Sequence, residues 1–299
     1  MRIPYRAIVI GAAALAVGAL WRNQRRRGAE VSELTERFAR FQEIQEATRD
    51  ELASMPKSNR LLMRAWSRVV YAEIEDLLAL YRDIGPDQAL PPMHGWAAGP
   101  DLARFLYREV VEHGRSAVLE CGSGSTTVIL AYACRTIGAG RVVALEHDPK
   151  FAAATRKMLE ERGLTKWAEV RDAPLTEVGV GDATWRWYDP ASLVDGPFDL
   201  VLVDGPPGST GPEARYPAVP VLLDRLADDA LVVLDDARRA DERAIGDRWV
   251  AEFDGFSLEW LDHDHGTLLL QRGTDDTEPS RRAVTAPRLP RTERPGERQ

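Results

Sequence analysis

The chain has 299 residues, a formal charge of −8 and 44% hydrophobic residues. That acidity weighs against a nucleic-acid-binding face, because neutralising phosphates takes a basic surface. Two cysteines, Cys121 and Cys134, exclude a disulfide framework and suit a reducing compartment.

The first predicted element is apolar. Ala7 to Trp21 carries no charge, with Arg2 and Arg6 before it and the arginine-rich RNQRRR after it. The run is shorter than the roughly 20 residues a spanning helix needs. Starting it at Ile3, with Arg6 reaching toward headgroups, makes the length adequate. Residues 1–28 thus read as a membrane anchor with a basic flank, and the arginine excess after it places the bulk of the chain on the cytoplasmic side. A cleaved signal peptide and a helix buried on protein are the alternatives, although no convincing A-x-A site is present.

Residues 29–94 read as a helical segment. Leu34, Phe38, Phe41 and Ile44 recur at spacings of three and four, which places them on one helix face. Pro56 interrupts, and a second amphipathic stretch runs from Leu61 to Tyr81. These helices either pack on the main domain or form a short coiled coil for self-association or partner binding. The proline- and glycine-rich GPDQALPPMHGWAAGP (85–100) marks a boundary.

The main domain is expected over 95–273. Buried-strand patterns occur at 116–120, 141–146, 168–173, 198–204, 230–235, 256–261 and 267–272. Helical stretches intervene at Thr126–Ile137, Lys150–Arg162, Arg215–Ala227 and Asp241–Phe253. Such alternation predicts a Rossmann-like, doubly wound α/β fold with a mostly parallel seven-stranded sheet covered on both faces. Only DHDHG (262–266) separates the last two strands, so they are expected to close the sheet as an antiparallel hairpin. Residues 274–299 lack apolar periodicity and read as a disordered tail.

Ligands of open α/β sheets collect at the carboxyl ends of the strands. Here five successive strand ends carry acids: Glu120, Glu146, Asp172, Asp204 and the pair Asp235-Asp236. The first is followed by Cys121-Gly122-Ser123-Gly124, a loop without the third glycine of a dinucleotide fingerprint, since Thr127 stands there. It also lacks a P-loop lysine. Glu120 would repel phosphate and attract an amine, while Glu146, 22 positions after Gly124, lies where a strand-end acid meets a ribose diol. A nucleoside bearing a positive appendage suits this set, and S-adenosylmethionine is such a molecule.

The ordered set E-x-G-x-G (120–124), Glu146, FDLVLVDG (198–205) and the terminal hairpin resembles the class I S-adenosylmethionine-dependent methyltransferases. The resemblance spans about 95–272. It implies that Gly122, Ser123 and Gly124 let the backbone approach the methionine part of the cofactor. Glu146 would hold the ribose hydroxyls, and Glu120 would orient the loop and the amino group. Asp172, or its neighbour Ala173, would lie by the adenine, as would His147 unless it is an exposed loop histidine, and Asp204 beside the sulfonium, as cofactor contact and catalytic residue. A finer resemblance, to the catechol-type O-methyltransferases, implies a Mg²⁺ site at Asp204, Asp235 and Asp236, although that family's Asp-Asn pair is Asp-Asp here. The metal would lower the pKa of a substrate hydroxyl. The alternative for Asp235-Asp236 is a helix cap or pairing with Arg238 and Arg239.

Trp96, Tyr188, Tyr216 and the His263/His265 pair have functional and structural readings side by side. DGPPG (204–208) contains no D/N-P-P-[YFW] tetrapeptide of nucleic-acid amino methylation. The acceptor expected is therefore a hydroxyl or carboxylate of a small molecule, lipid or glycan at the cytoplasmic membrane face. The competing functions are an NAD-dependent oxidoreductase, disfavoured by Thr127 and Glu120, and a non-catalytic membrane-anchored adaptor. Four intact site residues, Gly122, Gly124, Glu146 and Asp204, argue against the latter.

Overall fold

The structure, a computed structural model, describes residues 57–273 together with Ala39 and Phe41. The anchor expected at 1–28, the first amphipathic stretch apart from Phe41, and the tail at 274–299 lie outside the described residues. Among the described residues no helix is long and apolar enough to cross a membrane. The chain divides into two compact units, Met1–Leu78 and Ala79–Gln299.

Helix α1 (Lys57–Ile84) contributes its last turns to the second unit, where Leu80 is fully buried and Tyr81 and Ile84 lie against the core. The Tyr81 hydroxyl accepts from the Leu90 amide at 3.0 Å, which ties the connector down. Only the end of this helix, from Leu80 on, is thus part of the second unit's core. Helix α2 (Pro100–His113) starts on a proline at N1 and stops at Gly114, whose left-handed φ lets its amide close the last turn.

Seven strands form the sheet: β1 (Ala117–Cys121), β2 (Arg141–Glu146), β3 (Ala168–Asp172), β6 (Phe198–Val203), β7 (Leu226–Leu234), β8 (Phe256–Leu261) and β9 (Thr267–Arg272). Their order is β3-β2-β1-β6-β7-β9-β8, parallel except for β9, which runs antiparallel to both β7 and β8. Between them lie helices α3 (Ser125–Ile137), α4 (Pro149–Glu161), α5 (Ala218–Leu222) and α6 (Ala240–Glu252). One core cluster joins the sheet to α2, α3 and α4; the other joins its opposite face to α5 and α6. The doubly wound architecture and the closing hairpin are thus as the strand patterns require. Strand order reverses at β1, which opens a crevice between the carboxyl ends of β1 and β6.

Two elements differ from the sequence expectation. A separate antiparallel hairpin, β4 (Leu175–Val180) with β5 (Ala183–Tyr188), turns at Gly181-Asp182. It brings Trp187 and Tyr188 into the second core, where both are fully buried. The helix expected over Arg215–Ala227 shrinks to α5 and a 3₁₀ turn at Leu223–Arg225, and β7 starts at Leu226. Pro217 and Pro220 lack the amides that a longer helix would use. Arg215 consequently sits in a turn, free of helical geometry.

Candidate active site

The first half of the site forms where β1 and β2 end. Glu120 is buried at the end of β1, and its carboxylate accepts from the Thr126 hydroxyl and, at 2.6 Å, from the Thr127 hydroxyl. Thr127 Oγ1 also accepts from the Gly124 amide at 2.9 Å. The position that would be the third glycine of a dinucleotide fingerprint thus fixes the acid and the loop. Burial raises the Glu120 pKa to about 7, against the two threonine hydroxyls, with the neighbouring Glu146 adding to the rise. Gly122 has φ +110, where a side chain would strain the backbone. At Gly124 a Cβ would meet nothing within 4 Å, so open space borders the loop.

Glu146 ends β2 and is nearly buried. Its Oε2 accepts from Ser123 Oγ at 3.0 Å, and its Oε1 accepts from the Asp148 amide at 2.9 Å. Ser123 Oγ also lies 3.1 Å from Thr155 Oγ1. Neutral donors therefore hold this carboxylate, which keeps spare lone pairs for a diol. His147 Nδ1 stands 3.1 Å from Glu146 Oε1 but has no hydrogen-bond partner among the described residues. Its ring meets Tyr188 edge-on at 6.4 Å. Asp172 is different: its side chain is 65% exposed and pairs with Arg156 at 2.9 Å, while Ala173 beside it is buried.

The second half forms where β6 and β7 end. The Asp204 amide donates to the Cys121 carbonyl at 3.0 Å, which fastens the two strand ends together. Next to it, a Cβ on Gly205 would collide with Tyr188 Oη and come within 3.2 Å of the Cys121 carbonyl, so only glycine allows the approach. Tyr188 Oη is itself buried and without a hydrogen-bond partner among the described residues.

Arg215 lies at the centre of the second half and is almost wholly buried. Nη1 donates to the Asp235 carbonyl at 3.0 Å, and Nη2 to the Asp204 carbonyl at 3.1 Å. The same Nη2 reaches Asp204 Oδ1 at 3.2 Å and Asp236 Oδ2 at 2.8 Å. Arg239 Nη1 adds a second contact to Asp236 Oδ2 at 2.8 Å and lies 3.5 Å from the buried Glu242. Burial, then the Asp235 carboxylate, push Asp204 well above the usual carboxylate range, with Arg215 opposing. Burial raises Asp235 to about 6. Burial opposes the charge of Arg215, yet Asp204 and Asp236 outweigh it and hold its pKa above the ordinary value. Asp236 adopts φ +61, a conformation open to Asp and Asn.

Asp204, Asp235 and Asp236 do come together, as their strand-end positions imply, but around a guanidinium. Among the described residues no group of three or more His, Cys, Asp or Glu side chains is arranged to hold a metal ion. Pairing of Asp236 with Arg239 follows the alternative open from sequence, and Arg215 adds to it. Tyr216 stacks on Arg248, 3.7 Å from the ring centre, and on Trp185, and donates to Glu252, a structural arrangement. His263 Nδ1 contacts Thr267 Oγ1 at 2.9 Å, while His265 lies 3.9 Å from Asp236, so the two histidines face different partners. Trp96 is 94% exposed. The residues that sequence reasoning missed are Thr126, Thr127, Thr155 and the central role of Arg215. For Arg215 a signal existed: a lone cation in the largely apolar ARYPAVPVLL requires buried acids.

Residues 119–237 match the family model described as a methyltransferase domain. No curated protein matches the sequence. Among solved structures, the methyltransferase PaMTH1 of Podospora anserina, crystallised with SAH, aligns with a TM-score of 0.51 at 16% identity, over 74% of this chain and 98% of that one. The O-methyltransferase TomG of Streptomyces achromogenes, crystallised with SAM, aligns with a TM-score of 0.47 at 18% identity, over 74% of this chain and all of that one. At such identity the first of these likenesses establishes the fold.

Proposed function

We propose that this chain, a methyltransferase of the class I, S-adenosylmethionine-dependent type, acts on an oxygen atom of a small-molecule acceptor. The observation that carries the cofactor reading is the pair of buried glutamates, Glu120 and Glu146, held by neutral donors on either side of a glycine loop with open space at Gly124. A cation-bearing nucleoside fits this set, whereas the pyrophosphate of a dinucleotide would face Glu120 and find Thr127 where close helix approach needs glycine. The bound cofactor would supply an electrophilic methyl group on a sulfonium.

The chain's own residues then have separate roles. Glu146 binds the ribose hydroxyls, with Ser123 and the Asp148 amide fixing its orientation. Gly122 and Gly124 keep the loop bare for backbone contact. His147 and Tyr188, in edge-on contact at 6.4 Å, each carry a buried polar atom without a hydrogen-bond partner among the described residues. Asp204, at the junction of β1 and β6, takes the proton of an acceptor hydroxyl as the oxygen attacks. The acceptor oxygen gains the methyl carbon, the sulfur keeps the electron pair of the broken bond, and the proton remains on Asp204.

The test is formation of S-adenosylhomocysteine with a panel of phenols, alcohols and carboxylic acids. Transfer to an oxygen acceptor that falls at least about tenfold in Asp204→Asn supports the reading. Transfer confined to amines or thiols overturns it. The apolar run after Met1, flanked by arginines, supports a further placement of the enzyme at the cytoplasmic membrane face. Recovery of the full chain in the soluble fraction, unchanged by deletion of residues 1–28, would count against that placement.

A further inference from the structure

We infer that Arg215 takes the place of the divalent cation at the carboxyl ends of β6 and β7, so that methyl transfer by this chain is independent of metal. Asp204, Asp235 and Asp236 are the acids that a catechol-type site would offer to Mg²⁺. A Mg²⁺ ion binds oxygen at about 2.0–2.1 Å with near-ideal octahedral geometry. Any ion shared by Asp204 Oδ1 and Asp236 Oδ2 must lie between them, and that is where Arg215 Nη2 lies, 3.2 Å from one and 2.8 Å from the other.

The guanidinium cannot step aside. It is buried and further anchored by the backbone carbonyls of Asp204 and Asp235, and a displaced position would leave a charge without partners. Asp236 Oδ2 is also fully subscribed, since Arg215 Nη2 and Arg239 Nη1 both stand 2.8 Å from it. Two lone pairs meet two donors. A dication placed beside two permanent guanidinium charges would in addition be repelled. The residues therefore do not fit a metal.

What a metal would do by charge, Arg215 does by fixed geometry. It holds Asp204 and Asp236 at set positions and partly neutralises a cluster that also contains Asp235 and Glu242. It is a positioning residue, acting through Asp204. The inference rests on the methyltransferase reading for its consequence, but metal binding is measured without any methyl transfer.

The experiment is titration of the full chain with Mn²⁺, followed by the electron paramagnetic resonance signal of the free ion. Wild type is expected to bind no Mn²⁺ below on the order of 1 mM. Arg215→Ala vacates the position between the acids, and its Mn²⁺ affinity is expected to rise at least about tenfold, a gain abolished in Arg215→Ala combined with Asp204→Asn. Micromolar Mn²⁺ binding by wild type, lost in Asp236→Ala, would overturn the inference. So would a folded Arg215→Ala that binds no better than wild type. Should Arg215→Ala not fold, the wild-type titration still decides, together with wild-type transfer measured after EDTA treatment, which is expected to be unchanged. Calorimetric binding of S-adenosylmethionine separates the two readings, because loss of that binding would strike the methyltransferase reading alone.

Discussion

The two halves of the crevice hold their acids by opposite means. At the ends of β1 and β2, Glu120 and Glu146 accept, among the described residues, only from hydroxyls and a backbone amide. At the ends of β6 and β7, Asp204 and Asp236 accept from guanidinium groups. A carboxylate oriented by neutral donors has no guanidinium beside it, which leaves that place to a ligand's positive charge. One clamped by arginine has part of that charge compensated and its position fixed, so that Asp236 serves geometry while Asp204 is held in place for the proton it takes. The same residue type, at equivalent strand ends of one sheet, thus makes a cation-seeking pocket on one side and a rigid wall on the other.

Breaking the wall should have the largest effect. Arg215→Met removes the cation from a buried acidic cluster, and loss of one member of a buried ion pair costs about 3–5 kcal/mol. Chemical denaturation at neutral pH is expected to show that loss, and a variant of wild-type stability would mean that the cluster is not clamped as described.

The pocket side responds to pH. Burial raises Glu120 from an ordinary 4.5 to about 7, so the folded state binds more protons than the unfolded one between those values. The associated stability is fully present below pH 4.5 and is lost as pH rises through 7. Asp235, raised to about 6, acts with the same sign. Between pH 5 and pH 8 the stability of Glu120→Gln relative to wild type is expected to improve by on the order of 3 kcal/mol. Parallel melting curves of the two proteins across that range would check this, and a constant difference would contradict it.

The seam between the halves is sensitive to one methyl group. In Gly205→Ala the new Cβ meets Tyr188 Oη and the Cys121 carbonyl, and overcrowding of this kind costs about 1–3 kcal/mol. Gly124→Ala, which opens onto empty space, is the control and is expected to be milder in thermal denaturation. The smallest effect belongs to Asp172→Ala. Its exposed pair with Arg156 contributes within about 0.5 kcal/mol, so its melting temperature should match that of wild type.

How much of this was legible in the sequence depends on the range of the interaction. Strands such as FDLVLV and RVVALE announce themselves because a strand buried on both faces is almost wholly apolar, and the acids stand out where each run ends. The pocket half was legible for the same reason. Glu120, Gly122, Gly124 and Glu146 lie in two short stretches whose spacing reflects one β-α-β unit. The wall was only half legible. Asp204 and Asp235-Asp236 follow strands, but Arg215 comes from a turn that no periodicity marks, and its contacts lie 11 to 21 positions away. The β4–β5 hairpin was missed although ATWRWY has the composition of a strand and Gly181-Asp182 that of a tight turn. Prolines inside the expected 215–227 helix were the signal for its shortening.

The most direct test of the central claim is calorimetric titration of the full chain with S-adenosylmethionine and, separately, with NAD⁺, repeated on Glu146→Ala. The account expects micromolar binding of S-adenosylmethionine alone, weakened at least about tenfold in the variant, since a hydrogen bond to a charged group contributes roughly 1.5–3 kcal/mol. Binding of NAD⁺, or S-adenosylmethionine affinity indifferent to Glu146, would contradict it.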